Sequence, residues 1–344
     1  FIAIAFQAWQ KGVRTFKIES IQAAGQQQRQ LSDPSACIEV MTGAMLPLGT
    51  DTVIPYESLN IKEDKANITV EKIEPGENIH RQGVDARNAD ELLTPGIKIS
   101  PAEVALMASV GKKKVQVAAF PKTAIISTGD ELIPVDLIPL PYQIRRSNSY
   151  ALQAALTELG CAADQFHLPD QPDMLDVEVK KILQHYSLII FSGGVSKGKY
   201  DYIPQTLEQN GIQKRFHQVS QRPGKPIWFG TSAKHVVFAL PGNPVSTYMC
   251  FYRYIKPWLM KSLGSDVPVQ QVVLAQNFTL KPSLTYCLQV KVKNEMSQLK
   301  AYPDAGGGSG DFANLKDVDG FIELPAEVTD FKAGQVFRYF PFRS

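Results

Sequence analysis

No apolar run in this 344-residue sequence approaches the roughly 18 residues that a membrane-spanning helix needs. An excess of one charge is missing too. The chain carries 36 Lys and Arg against 34 Asp and Glu, a net +2. That balance gives no general ground for binding nucleic acid or a membrane surface, so any anion site must be a local cluster. Cysteine is scarce: Cys37, Cys161, Cys250 and Cys287 are scattered, with no Cys-x-x-Cys pair. Buried thiols of a reducing cytoplasm are the expectation, not disulfides or a zinc site. The five histidines (His80, His167, His185, His217, His235) form no metal-binding spacing. The sequence opens without Met, and the apolar stretch Phe1 to Phe6 lacks the basic leader of a signal peptide. It reads as a chain that starts inside a larger protein.

Against these absences stands a clear change of pattern along the chain. Residues 1–74 read as strand-rich, with β-type runs at Val53-Ile54, Leu59-Ile61 and Ile68-Val70 broken by Gly, Pro, Asn and Asp. Residues 75–119 hold a polar, turn-rich stretch, then a helix expected over Pro101 to Val110, with Pro101 in its first turn and Gly111 behind it. Residues 120–263 alternate β and α. Thr123 to Ile126, Leu188 to Phe191 and Val236 to Leu240 are the apolar strands of a buried parallel sheet. Three helical stripes separate or follow them: Leu152, Ala155, Leu156 and Leu159; Leu175, Val179, Ile182 and Tyr186; Val245, Met249, Tyr252 and Ile255. Asn243 is placed to cap the last helix, with Pro244 at its first position. Together these predict a doubly wound α/β domain. Residues 264–344 carry short strands (VVLAQNF, TYCLQVKV, GFIEL, QVFRYF) and predict a small β-barrel or sandwich.

Three turns follow the apolar strands: Ser127 to Glu131 (STGDE), Ser192 to Tyr202 (SGGVSKGKYDY) and Leu240 to Pro244 (LPGNP). In an open parallel sheet ligands bind beyond the carboxyl ends of the strands, so all three are expected to meet at one crevice. Gly193, Gly198 and Lys199 approach the spacing of a phosphate loop, but Tyr200 stands where that loop needs Ser or Thr for Mg²⁺. Glycines still let backbone N–H groups reach a phosphate at a helix start; the plainer reading is a tight β-to-α turn. Asp130, Glu131 and Asp201 are loop carboxylates of the kind Mg²⁺ uses beside substrate phosphates. Asp201 equally suits a helix cap, and Asp130 a turn. Arg222 and Lys225, on the Pro-stiffened QRPGKP loop, can clamp an oxyanion or simply face solvent. Thr42 and Asp85 lie in turns whose chemistry they also suit.

The strings VMTGAMLPLGTDTVI, ENIHRQGVD, STGDEL, RRSNSY, SGGVSKGKYDY, RPGKP and LPGNPVS, in this order, resemble the MoeA family of molybdopterin molybdenumtransferases, which includes the E domain of gephyrin. The resemblance runs from about Phe1 to the C-terminus. It implies four domains: a β-rich one, an elongated helical one, a MogA-like α/β pterin-binding one and a C-terminal β domain. It implies a cytoplasmic homodimer that inserts molybdate into adenylylated molybdopterin with Mg²⁺ and releases AMP. A MogA-like adenylyltransferase and acceptor molybdoenzymes follow as partners, with no nucleic acid or membrane. By matched position, Thr42, Asp85, Glu131 and Asp201 are implied to be catalytic, with Glu131 and Asp201 at the metal. Gly193, Gly194 and Ser196, Arg222 and Lys225, Pro241, Gly242, Asn243 and Pro244, and Ser309 are implied to bind substrate. The chain departs from the pattern at Lys197, Lys199, Arg222 and Gln289, and the family's MDG motif would lie just before Phe1.

On this reading the pterin and its phosphates lie across the carboxyl ends of the α/β strands. Thr42 and Asp85, in a separate lobe, would serve from the partner subunit. Two other functions fit parts of the pattern. One is a MogA-like molybdopterin adenylyltransferase, although that type is a single domain with GGTG where this chain has GGVS. The other is a non-catalytic pterin-binding scaffold, against which the retained Glu131 and Asp201 argue.

Overall fold

The computed structural model describes residues 1–195, 202–265, 268–280 and 284–343. The chain divides into two compact units, Phe1–Thr94 and Pro95–Ser344. Among the described residues no helix is long and apolar enough to cross a membrane.

The first unit is built on a six-stranded sheet in the order Thr52–Ile54, Ile2–Ile4, Cys37–Val40, Thr15–Gln22, Lys65–Ile68, Leu59–Lys62. Ile2–Ile4 is wholly buried because its two faces feed separate cores. Ile2 and Ile4 pack with Trp9, Phe16 and Ile54. Ala3 packs with Leu31, Ile38 and Val53. The apolar opening of the sequence is therefore a central strand. The run read at Ile68-Val70 forms its strand earlier, over Lys65–Ile68. Thr15–Gln22 and Cys37–Val40 escaped the sequence reading.

In the second unit Ser100 and Glu103 form a reciprocal capping box that starts the helix Pro101–Ser109. The α/β sheet then runs Ala163–Leu168, Thr123–Thr128, Leu188–Ser192, Val236–Leu240, Trp228–Thr231, Gln213–His217. Its first four strands are parallel, and the last two are antiparallel additions. Period-two alternation sends Ile125, Leu188, Ile190 and Phe238 to one face, with helix residues Leu152, Leu156, Val245 and Met249. Ala124, Ile126, Ile189, Phe191 and Val237 go to the other face, with Leu175, Val179, Ile182, Ile203 and Leu207. Helices on both faces make the fold doubly wound, as the sequence implied. The third helical stripe is not one regular helix. It runs as Pro244–Cys250, a π turn at Phe251–Ile255, then Lys256–Ser262. Pro257, with no N–H to bond, lies just past the widened turn.

The C-terminal strands close on themselves. Thr285–Glu295, Gln298–Pro303, Gln270–Leu274, Val336–Pro341 and Gly320–Leu324 form a five-stranded barrel, since the first pairs with the last. Leu274, Leu288, Val290, Ile322 and Phe331 fill it. Its outer residues Cys287, Phe321 and Phe342 join the core on one face of the α/β sheet. An ion pair crosses the same seam. Arg253 sits 3.0 Å from Glu323 with both side chains largely buried, and Arg253 donates to Cys287 Sγ at 3.1 Å. Removing one member of such a pair strands the other charge. Arg253→Met should therefore cost about 2–3 kcal/mol in urea unfolding. The double variant R253M/E323M should regain most of that loss.

Candidate active site

The strand order reverses beside Thr123–Thr128. The chain leaves this strand for Ala163–Leu168 on one side, while Leu188–Ser192 pairs on the other. Loops leaving the two strands diverge and open a crevice at their carboxyl ends. A cavity of about 500 Å³ lies there. It is lined by all three turns singled out from the sequence: Ser127 to Gly129 with Glu131, Ser192 to Val195, and Pro241 to Pro244.

The turns approach each other through backbone. Gly193 N donates to Leu240 O at 3.0 Å, and a Cβ on Gly242 would stand 3.7 Å from Gly193 Cα. Gly194 is left-handed at φ +69°, and a Cβ there would meet Ile203 Cδ1 at 2.5 Å and Thr128 Oγ1 at 3.0 Å. Glycine is required by both conformation and space. Asn148, on the first turn of the helix Ser147–Glu158, locks the arrangement. Its Nδ2 donates to Gly242 O at 2.8 Å and to Ser192 Oγ at 3.0 Å.

The crevice mixes charges. Arg145 and Arg146 line it together with Glu131 and Asp170. Ser127 Oγ lies 3.1 Å from His167 Nδ1. Burial, followed by the Arg146 guanidinium, pushes the His167 imidazole below its ordinary value, against the pull of Asp130 and Glu131. Among the described residues no three His, Cys, Asp or Glu side chains are grouped to hold a metal. That donor set still suits Mg²⁺, which takes one or two carboxylates and completes its shell with water and substrate phosphate.

Of the sequence-predicted residues, Glu131, Gly193, Gly194, Pro241, Gly242, Asn243 and Pro244 meet in this cavity. Ser309 joins its rim, because Asn243 Nδ2 donates to Ser309 Oγ at 2.8 Å and Val245 N to Ser309 O at 3.1 Å. That bond corrects one expectation. Asn243 occupies the cap position, with Pro244 behind it, but its side chain does not cap the helix. Ser196 and Asp201 lie outside the described residues, as do Lys197, Lys199 and Tyr200.

Arg222 and Lys225 do not line the cavity, although the adjacent Pro226 does. Their loop is drawn to the barrel, where Gln221–Arg222 pairs with Thr285 and Tyr286. It is braced by the buried Gln221, whose Nε2 donates to Gly224 O at 3.3 Å and whose Oε1 accepts from Tyr254. Gln289 is 4% exposed, and on the outer face of the barrel its amide is bonded to Ala305 and Asn314, so it holds the segment beside the Gly-rich turn.

Thr42 and Asp85 belong to the first unit. Thr42 lines a separate cavity of about 310 Å³ with Gly43, Asn78 and His80. His80 Nε2 lies 2.9 Å from the Asp85 carboxylate, so the imidazole that lines the Thr42 cavity is paired with Asp85.

Sequence reasoning assigned no role to Arg145, Arg146, Asn148 or Asp170. The first three were visible only as part of RRSNSY. Asp170 follows Ala163–Leu168, an edge strand whose half-exposed pattern carries no apolar run.

Two outcomes follow. Asn148→Ala leaves the Gly242 carbonyl and the Ser192 hydroxyl unpaired, and should lower stability by about 1–3 kcal/mol and weaken ligand binding in the crevice. Thermal melts and titration calorimetry check both. For His167 the unfolded side chain protonates near pH 6.5 and the folded one only at lower pH. Between those values the unfolded chain holds more protons, so stability rises with pH up to about 6.5 and then levels. His167→Gln should flatten that rise in urea midpoints measured across the acidic range.

Comparison with known proteins agrees along the whole chain. Residues 2–111 match the family model described as MoeA N-terminal region (domain I and II). Residues 124–261 match "Probable molybdopterin binding domain", and 271–342 match MoeA C-terminal region (domain IV). A molybdopterin molybdenumtransferase of Synechocystis sp. is 38% identical over 344 residues, covering 98% of this chain and 86% of the relative. One of Bacillus subtilis is 30% identical over 332 residues, covering 94% and 76%. The crystal structure of a molybdopterin biosynthesis moea protein from Pyrococcus horikosii superposes with a TM-score of 0.82 at 26% identity, covering 100% of this chain and 86% of that one. With its three regions matched in family order and a crevice at the strand-order reversal of its α/β domain, this chain belongs to the MoeA family.

Proposed function

We propose that this chain is a molybdopterin molybdenumtransferase of molybdenum-cofactor biosynthesis, as its relatives are named, and that its substrate lies in the crevice of the α/β domain. One observation carries the reading. Three glycine-bearing turns and the start of the helix Ser147–Glu158 converge on a single cavity of about 500 Å³, placing backbone donors and two guanidinium groups around it. Such donors suit a phosphate-bearing ligand.

The proposed substrate is adenylylated molybdopterin. Gly193, Gly194 and the Pro241–Pro244 backbone cradle its phosphates. Ser309 holds the rim of this cradle, and Ser196 is a proposed substrate-binding residue by its matched position alone. The exposed Arg222 and Lys225 attract molybdate toward the crevice. Glu131 and Asp201 hold Mg²⁺ directly or through water, and the ion when bound neutralises phosphoanhydride charge. Asp170 adds a second described carboxylate in the same cavity. Attack of a water oxygen on the adenylyl phosphorus forms a new P–O bond and breaks the phosphoanhydride, so AMP is released, the pterin phosphate departs as the leaving group and the pterin is free to carry molybdenum. Thr42 and Asp85 are proposed catalytic groups of the first unit. The working form is a homodimer, supplied by a MogA-like adenylyltransferase and serving acceptor molybdoenzymes.

The test is AMP release from adenylylated molybdopterin with Mg²⁺, with and without molybdate. Release should depend on molybdate, and Glu131→Gln should lower kcat by about 10²-fold or more, the scale of a preorganised electrostatic group. Full turnover in that variant removes Glu131 from the mechanism. Molybdopterin binding without any release moves the chain to a scaffold role.

A further inference from the structure

Among the described residues, two polar atoms of the crevice lining have no partner. Thr128 is 4% exposed, and its Oγ1 is buried without a hydrogen bond. Arg146 Nε is also buried without one. Both residues line the same cavity. Buried polar groups in folded proteins nearly always find a partner, so two orphans on residues that line one cavity point to a ligand.

The local chain explains why they are left over. Thr128 ends its strand beside Ser127, whose hydroxyl is engaged by Phe166 O at 3.2 Å and His167 Nδ1 at 3.1 Å. Thr128 Oγ1 faces the glycine turn instead. A Cβ on Gly193 or Gly194 would stand 3.4 or 3.0 Å from it, so glycines keep side chains away from the hydroxyl. Arg146 precedes the helix Ser147–Glu158, and its side chain makes no capping bond. A guanidinium offers donors and no acceptor, while the threonine hydroxyl and the N–H groups of the helix start add further donors. Such a donor set selects an oxyanion over a neutral ring.

We propose that Thr128 and Arg146 form an oxyanion subsite within the crevice, taking one tetrahedral oxyanion: a phosphate group of the pterin substrate or molybdate itself. The source of the anion rests on the transferase reading above; the subsite does not. Arg146 supplies charge and a planar donor fork, and Thr128 supplies a hydrogen bond that fixes orientation.

The experiment is titration calorimetry on the full chain with inorganic phosphate, molybdate and adenylylated molybdopterin as separate probes. Arg146→Met and Thr128→Val should each weaken the recognised anion by about tenfold or more, the scale of hydrogen bonds to a charged group. Thr128→Ser should bind like the parent, and Arg146→Lys should fall between the parent and Arg146→Met. The latter two also serve if the larger changes disturb folding in thermal melts. Losses confined to phosphate and the pterin identify a substrate phosphate. A loss confined to molybdate identifies the metal oxyanion. Inorganic anions weakened by the variants, in a chain that binds no pterin, keep the subsite and remove the transferase reading. Unchanged affinity for all three probes in natively folded variants overturns the subsite and leaves the transferase reading standing. A parent chain that binds neither inorganic anion nor pterin overturns it as well.

Discussion

The carboxamide of Asn148 is the tie on which the crevice depends. One side-chain nitrogen bonds the carbonyl of Gly242 and the hydroxyl of Ser192, at the ends of two strands that the sheet brings side by side. With a third strand end at Thr128, this fixes three loops whose own sequences favour no particular mutual placement. Gly193 and Gly194 are then necessary, because their left-handed backbone and close neighbours leave no room for side chains there. Preorganisation at the strand ends is thus achieved with few groups, which leaves the remaining polar atoms free for a ligand.

Charge is arranged around that frame in a way that composition does not reveal. The chain is near neutral overall, yet two guanidinium groups and two carboxylates line one cavity. A site that must hold polyanionic phosphates beside a divalent cation needs both signs within a few ångströms. His167 registers the mixture. Its imidazole feels burial and Arg146 on one side and Asp130 and Glu131 on the other, and the first pair prevails.

The barrel contributes by anchoring. It takes the Gln221–Arg222 segment as an added strand, so the QRPGKP loop is braced by the barrel as well as by Gln221 and Tyr254. It also sends the Gly-rich turn to Asn243 through Ser309. Gln289 shows the same division of labour, since its amide is spent on Ala305 and Asn314 beside the Gly-rich turn. In the first unit, His80 lines the cavity of Thr42 and pairs with Asp85, although the sequence showed it only as an isolated histidine.

By itself the sequence determined the doubly wound α/β core, the C-terminal β domain, the three turns and the family. Each is written in short-range pattern: continuous apolar runs for buried parallel strands, 3.6-residue stripes for the helices, and Gly and Pro at strand ends. Edge strands such as Ala163–Leu168 were not legible, because half-exposed positions carry no distinct pattern. Nor was the fate of Asn243, where a cap and a bond to Ser309 suit the same residue equally well until a partner arrives from elsewhere in the chain. Tertiary structure alone decided which polar groups are spent and which are left. Ser127 and Asn148 are consumed in holding the loops together, while Thr128 and Arg146 remain unbonded. The physical reason is that hydrogen-bond satisfaction is set by neighbours distant in sequence, and no local pattern encodes them.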